Sequence, residues 1–328
     1  MEIVNFFMSD LFHQKSKNNY YDNLIVDLND IYSKSPINKK HYLKTNQVSY
    51  LKSYFDKLYH CSILPLKVRV FFWHLLRQTR IDLTWSKEFK NYWTSVIGGR
   101  PLWNVEDLFF LKNLYRVKFQ ECQIPDTNDP EIHLKTWQLP ELIYQLLHLV
   151  CKESINNEYG ILKLLMTYKK KFRSLLEFGC GTAPITTTLF ELFHLSKKIK
   201  IFLSDIQTLA FNYAAYKFRN CLNVIPVILD VENDFLLNLN EKVDVITCIA
   251  VFEHLNRPLE TIKIFYETLN HNGLLFFDYI KSIGEGLDTK QAVRERDSVL
   301  EFINENFEVI HGRVTKDKNM GLAIAKKL

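Results

Sequence analysis

Glu177, Asp205, Asp230 and His254 each stand at or just past the end of a short apolar run, and glycines crowd the first of these positions. The run Leu175, Leu176 and Phe178 reads as a buried strand of a parallel sheet. Gly179-Cys180-Gly181 then forms a turn whose missing side chains let backbone come close to a ligand. Pro184 stands where a helix would begin, its φ already set and its absent N–H no loss. Leu189, Phe190 and Phe193 give that helix an apolar stripe. A strand, a Gly-rich turn and a helix N-terminus together make a nucleotide-type site. A dinucleotide fingerprint, Gly-x-Gly-x-x-Gly, would place its third glycine at Pro184 and is therefore not met.

Ligands of open α/β sheets lie at the carboxyl ends of the strands, where Asp205 closes the run 200–204 and Asp230 closes 224–229. A carboxylate after the second strand can accept both hydroxyls of a ribose. One after the third can accept the exocyclic amine of adenine, with the Val231 amide toward a ring nitrogen. Either Asp taken singly also reads as a helix cap or turn residue. Beyond the fourth strand, 243–249, comes Ala250-Val251-Phe252-Glu253-His254-Leu255-Asn256-Arg257-Pro258. Here His254 is the candidate general base; the structural alternative is a histidine bonded to backbone at a strand-to-helix turn.

Glu177-Phe178-Gly179-Cys180-Gly181-Thr182-Ala183 resembles motif I of the class I S-adenosylmethionine (SAM) methyltransferases, acid-x-Gly-x-Gly-x-Gly, with Ala183 in the third glycine position. The Glu253-His254-Leu255 triplet and the later 268–278 stretch resemble the quinone-biosynthesis-type branch that acts on small molecules. The resemblance covers 174–279 and leaves residues 1–150 untouched. It implies SAM as cofactor and S-adenosyl-L-homocysteine as product, held by Glu177, Gly179, Cys180, Gly181, Ala183, Asp205, Ile206, Asp230, Val231 and Ala250. Asn270-His271-Asn272-Gly273 replaces that branch's Lys-Pro-Gly-Gly turn, and Ala250 stands where some members have a metal-binding acid. Glu253 and His254 alone are too few ligands, so no metal is expected. Amino-methyltransferases of nucleic acids carry an Asn/Asp-Pro-Pro-Tyr turn after strand four; the chain has Ala250-Val251-Phe252-Glu253, so no nucleic-acid partner is expected.

The bulk composition fits these expectations. The 328 residues are 47% hydrophobic and 24% charged with net charge +5, an ordinary globular balance with only short basic runs. Six scattered cysteines without Cys-x-x-Cys or Cys/His spacing point to a reduced, cytoplasmic protein without a zinc site. The start lacks a basic signal-peptide region, and no window is apolar enough to span a membrane.

Strands and helices alternate after residue 170, which predicts a doubly wound, mostly parallel seven-stranded sheet closed by an antiparallel hairpin, 307–311 with 321–325. Pro226 implies that the third strand lies toward the sheet edge. A helix over 257–270 is expected to stop at Gly273. The SAM-binding domain is assigned to 150–328, and 1–149 to a mainly helical, aromatic-rich lid or recognition region. In it, 124–140 reads as a turn-rich loop with Pro125, Pro130 and Pro140, and His133 and Trp137 are its candidate functional residues, against an ordinary surface loop. The expected reaction is methyl transfer to an oxygen or nitrogen of a small molecule. A peptide or protein acceptor recognised by residues 1–149 is the alternative, and a non-catalytic SAM-binding protein a third reading.

Overall fold

The computed structural model describes residues 68, 88, 89, 91–93, 95, 112, 115–124, 129–150, 155–168, 172–193, 199–281, 287–316 and 319–328. Most of the mainly helical region expected over 1–149 lies outside these residues. Two compact units are present, one comprising 1–122, 139–160 and 187–194, the other 123–138, 161–186 and 195–328. Within the first, helix α2 (Ile143–Val150) buries Ile143, Leu146, Leu147 and Val150, the helical spacing read from the sequence. Phe119 packs on Tyr144 there, with ring centroids 5.2 Å apart.

The second unit is built on one seven-stranded sheet. Its strands are β1 (Ser174–Phe178), β2 (Lys200–Asp205), β3 (Val224–Ile228), β4 (Val243–Cys248), β5 (Leu269–Tyr279), β6 (Phe307–His311) and β7 (Met320–Lys327). They lie side by side in the order β3-β2-β1-β4-β5-β7-β6. β1 to β5 pair in parallel; β7 runs antiparallel to both β5 and β6, as the missing helix between the last two strands predicts. β3 is the edge strand, so the N–H that Pro226 lacks costs the ladder least there. β1 lies inside the sheet between β2 and β4, and both faces of its Leu175–Phe178 are buried, as parallel strands flanked by helices require.

The second unit also holds α5 (Leu209–Lys217), α6 (Pro258–Thr268) and α7 (Lys290–Asn306), while α3 (Ile155–Tyr168) and α4 (Pro184–Phe193) each have residues in both units. One face of the core joins Phe178 on Phe265 edge to face, centroids 4.8 Å apart, with Phe252 stacked on Tyr279 at 5.0 Å. The Tyr279 hydroxyl donates to the Ala292 carbonyl at 2.6 Å, so this buried phenol keeps a partner.

Two local expectations need correction. The 124–140 stretch is not a continuous turn-rich loop: residues 130–137 form helix α1 (Pro130–Trp137). Asp129 caps it, its Oδ1 accepting from the N–H groups of Glu131 (2.9 Å) and Ile132 (3.2 Å), with Pro130 at the first helical position and Glu131 in the first turn. Asp129-Pro130 is therefore a helix start, where the prolines by themselves suggest a turn. The second correction is at the end of α6. Its cap is Leu269, β5 begins directly, and the positive φ belongs to Asn272 (57°). Gly273 is needed for space: a Cβ there would lie 2.8 Å from the Asn270 carbonyl oxygen.

Candidate functional site at the carboxyl edge of the sheet

Glu177 is 3% exposed, and its carboxylate accepts the first free N–H groups of α4: Ile185 at 3.0 Å, Thr186 at 2.9 Å, and the Thr186 hydroxyl at 2.6 Å. The acid thus cements the turn to the helix N-terminus, where a negative charge is favoured. Burial still raises its pKa, against the opposing hydrogen bonds of Thr186 and Ile185. In between, Gly179 (φ 63°), Gly181 (φ 51°) and Ala183 (φ 53°) carry the chain through left-handed conformations. At Gly179 there is a second reason for glycine, since a Cβ would lie 2.3 Å from the Val251 side chain. Cys180 is buried, its N–H donating to the Ser204 carbonyl at 3.1 Å, and burial pushes its thiol pKa well up. The Lys217 ammonium holds the Thr182 carbonyl at 2.7 Å.

Asp205, at the end of β2, accepts from the Gly181 N–H (Oδ2, 2.7 Å) and the Ile206 N–H (Oδ1, 2.8 Å). One residue therefore joins the glycine turn to the next strand end. Burial raises its carboxyl to about 6, against the pull of those two N–H groups. Asp230, at the end of β3, is exposed and makes no capping bond from its side chain; Val231 opens the short turn that follows. Past β4, Ala250 is exposed with φ 55°, its N–H held by Asp278 Oδ1 at 2.6 Å. Asp278, in the β5 sequence Leu274–Tyr279, went unremarked in the sequence, where an acid inside an apolar strand could have flagged it.

Phe252–His254 form one short turn of helix after β4. His254 Nδ1 lies 3.0 Å from Asp288 Oδ1 and 3.2 Å from the Leu287 carbonyl. Its Nε2 is 4.0 Å from Glu253 Oε1, beyond hydrogen-bond reach. Burial alone would lower the His254 pKa, but the Asp288 hydrogen bond, the Glu253 and Asp288 charges and the Leu287 carbonyl outweigh it, and the net shift is upward. Glu253 is buried with its own pKa raised by desolvation, and among the described residues its Oε2 has no hydrogen-bond partner. The backbone contact of His254 is made to Leu287, 33 residues on in the chain, with the Asp288 carboxylate beside it. Only Thr289, the cap of α7, marks the neighbourhood of Asp288 in the sequence.

Helix α1 lies across these strand ends. Trp137 meets the His254 ring edge to face at 5.2 Å, His133 packs on Phe235 at 5.7 Å, and Gln138 Nε2 donates to the Gln207 carbonyl at 2.8 Å. It therefore touches the segments that follow β2, β3 and β4. The Trp137 indole N–H donates to His133 Nε2 at 3.1 Å, which makes that nitrogen an acceptor. Burial, with the His254 charge, pushes His133 down to about 4, so it is neutral at physiological pH. Phe235 itself is buried at φ 59°, a strained conformation for a bulky residue.

The donor set can be tested against a SAM-like cofactor. Two carboxylates at adjacent strand ends suit a diol and an amine, and neither Asp205 nor Asp230 has a Lys or Arg partner among the described residues. A pyrophosphate would instead meet two carboxylates, Glu177 and Asp205, while Lys217, whose charge acts on Glu177, is committed to the Thr182 carbonyl. The residues present fit the sulfonium cofactor.

Residues 176–275 match the family model described as a methyltransferase domain. The matched span holds Glu177, Asp205, Asp230, Ala250 and His254; His133, Asp278 and Asp288 lie outside it. No curated protein sequence matches the chain. Among solved structures, the chain is similar to the N-methyltransferase NodS from Bradyrhizobium japonicum WM9 in complex with S-adenosyl-L-homocysteine, at 15% identity and TM-score 0.39, covering 52% of this chain and 86% of that one. It is similar to a SAM-dependent methyltransferase from Clostridium acetobutylicum ATCC 824, at 15% identity and TM-score 0.40, covering 56% and 96%. The glycopeptide N-methyltransferase MtfA complexed with SAM is also similar, at 12% identity and TM-score 0.37, covering 53% and 86%. The chain contains a methyltransferase domain.

Proposed function

We propose that this chain is a SAM-dependent methyltransferase acting on an oxygen or nitrogen of a small-molecule acceptor. The observation that carries the reading is Asp205: one carboxylate tied by both oxygens to the Gly181 and Ile206 amides, at the strand end where a ribose would lie. Asp205 would hold the two ribose hydroxyls, Asp230 the adenine amine with the Val231 amide beside it, and the 179–183 turn the amino-acid end. Glu177 orders that turn through α4 and adds negative charge behind the ammonium. Ala250 would line the adjoining wall.

When bound, SAM supplies an electrophilic methyl group and its own leaving group, so the protein's task is to position, desolvate and remove a proton. His254 is the base in this reading, and Trp137 and His133 on α1 close the acceptor side over it. That cover favours a small acceptor over an extended peptide. Residues 1–149 act as the recognition region and 150–328 as the catalytic domain in this reading, although α1 itself belongs to the compact unit that holds the sheet. No described helix is long and apolar enough to cross a membrane.

Calorimetric titration with S-adenosyl-L-homocysteine tests the reading. The wild type is expected to bind and Asp205→Ala to lose about 10- to 100-fold in affinity, the range for losing hydrogen bonds to a charged group. Absence of binding to the folded wild type would overturn it.

A further inference from the structure

We propose that Asp288 is a positioning residue of this methyl transfer: it fixes His254 as the Nδ1–H tautomer, leaving Nε2 to take the proton the acceptor loses. The inference rests on the functional reading above and concerns a residue outside the matched methyltransferase span. Its basis is the pair of contacts at Nδ1. Both partners within reach, Asp288 Oδ1 at 3.0 Å and the Leu287 carbonyl at 3.2 Å, can only accept. Nδ1 must therefore carry hydrogen in the neutral ring as well as in the charged one. Nε2 is then the basic nitrogen, and it has no hydrogen-bond partner among the described residues.

The segment that supplies Asp288 is anchored without it. The Thr289 N–H donates to the Glu253 carbonyl at 2.9 Å, and its hydroxyl donates to the Leu255 carbonyl at 2.6 Å. The same Thr289 oxygen accepts from the Ala292 N–H at 2.9 Å and starts α7. Residues 287–289 thus clasp the 253–255 turn by main-chain and threonine contacts, and the Asp288 carboxylate is left to act on the imidazole. In the step, the acceptor's lone pair forms the new bond to the methyl carbon while the carbon–sulfur electrons stay on sulfur, giving the neutral thioether. The acceptor's proton passes to Nε2. The resulting imidazolium is flanked by Asp288 on one side and by Glu253 on the other, and among the described residues the further charged or titratable groups acting with it are Asp205 from β2, Asp278 from β5 and neutral His133 from α1. Trp137 holds the ring plane from the side at 5.2 Å. A carboxylate that stabilises the imidazolium makes proton uptake easier without itself taking the proton.

The test is nitrogen-resolved NMR of the histidine rings in the cofactor-free full chain, with His254 among the ten histidines identified from a His254→Gln spectrum. In the wild type, neutral His254 is expected as the Nδ1–H tautomer with a midpoint above the ordinary histidine value. Asp288→Asn, which retains an acceptor and loses the charge, should lower that midpoint by about one pH unit, and Asp288→Glu should restore it. A wild-type ring in the Nε2–H tautomer overturns the proposal whatever the variants do, as does an unchanged midpoint in a folded Asp288→Asn. Titration of the same sample with S-adenosyl-L-homocysteine separates the two readings. Binding with an unchanged midpoint overturns the role of Asp288 alone, whereas a coupled His254 without binding overturns the role in methyl transfer.

Discussion

The turn after β1 and the turn after β4 use the same device. Each puts an alanine at positive φ, Ala183 and Ala250, and each is pinned by carboxylates that accept backbone N–H groups. Around the first, Glu177 holds Ile185 and Thr186, and Asp205 holds Gly181 and Ile206. Around the second, Asp278 holds Ala250, while Glu253 keeps an oxygen without a partner among the described residues and His254 leans on Asp288. The first turn is held by carboxylates already committed to amides and offers a fixed cradle. The second carries a titratable ring between two acids and can hold a proton in more than one place. That division suits a cofactor that must be bound the same way each time and an acceptor whose proton must leave. The two halves adjoin, since a Cβ on Gly179 in the first turn would lie 2.3 Å from the Val251 side chain in the second.

The sharpest way to break the comparison is at Glu177. Replacing it with Ala orphans two buried amides and a hydroxyl in the first turn of α4, against the relief of no longer burying a carboxylate. The expected loss is about 2–3 kcal/mol of unfolding free energy in urea titration, with S-adenosyl-L-homocysteine binding weakened alongside. A fully stable Glu177→Ala would mean that the first turn is not the rigid half.

A smaller effect comes from pH. Asp205 has a carboxyl raised to about 6. A raised carboxyl contributes stability that is present below its unfolded value and lost as pH rises through about 6, so for this group the empty protein is more stable at acid pH. Ligand binding has the opposite sign, because the ionised carboxylate is the better acceptor for ribose hydroxyls. Calorimetry should show affinity for S-adenosyl-L-homocysteine falling by up to about tenfold per pH unit below about 6. Affinity flat from pH 7 to 5 would remove Asp205 from that role.

The mildest change is Ala250→Gly. Removing a side chain at φ 55° relieves strain but adds freedom to the unfolded chain, so thermal unfolding should shift by less than about 1 kcal/mol, toward greater stability. The same change at Ala183 should behave alike. Clear destabilisation at Ala250 alone would show that its methyl group packs in a way the first turn does not require.

How much was legible follows from distance along the chain. Glu177, the glycine turn, Pro184 and the apolar run before them lie within a dozen residues, and their hydrogen bonds depend on that spacing alone. Pro226 gave away the edge strand for the same local reason: it lacks one donor. Gly273 was assigned the wrong cause, because only the packed structure shows that the Asn270 carbonyl crowds it and that Asn272 makes the turn. Helix α1 was masked by its own prolines, although Asp129-Pro130-Glu131 is a complete start signal.

By itself the sequence determined the parallel sheet, its closing antiparallel strands and the residues of the glycine turn, because hydrophobic period, φ restrictions and short-range hydrogen bonds are set by neighbours in the chain. Only the tertiary structure decided that Trp137 and Asp288 both meet His254, 117 and 34 residues away in sequence, and that His133 gives its lone pair to an indole. Such meetings depend on where whole elements dock, which is fixed by the burial of surfaces spread over the sheet and not by any spacing a reader of the sequence could measure.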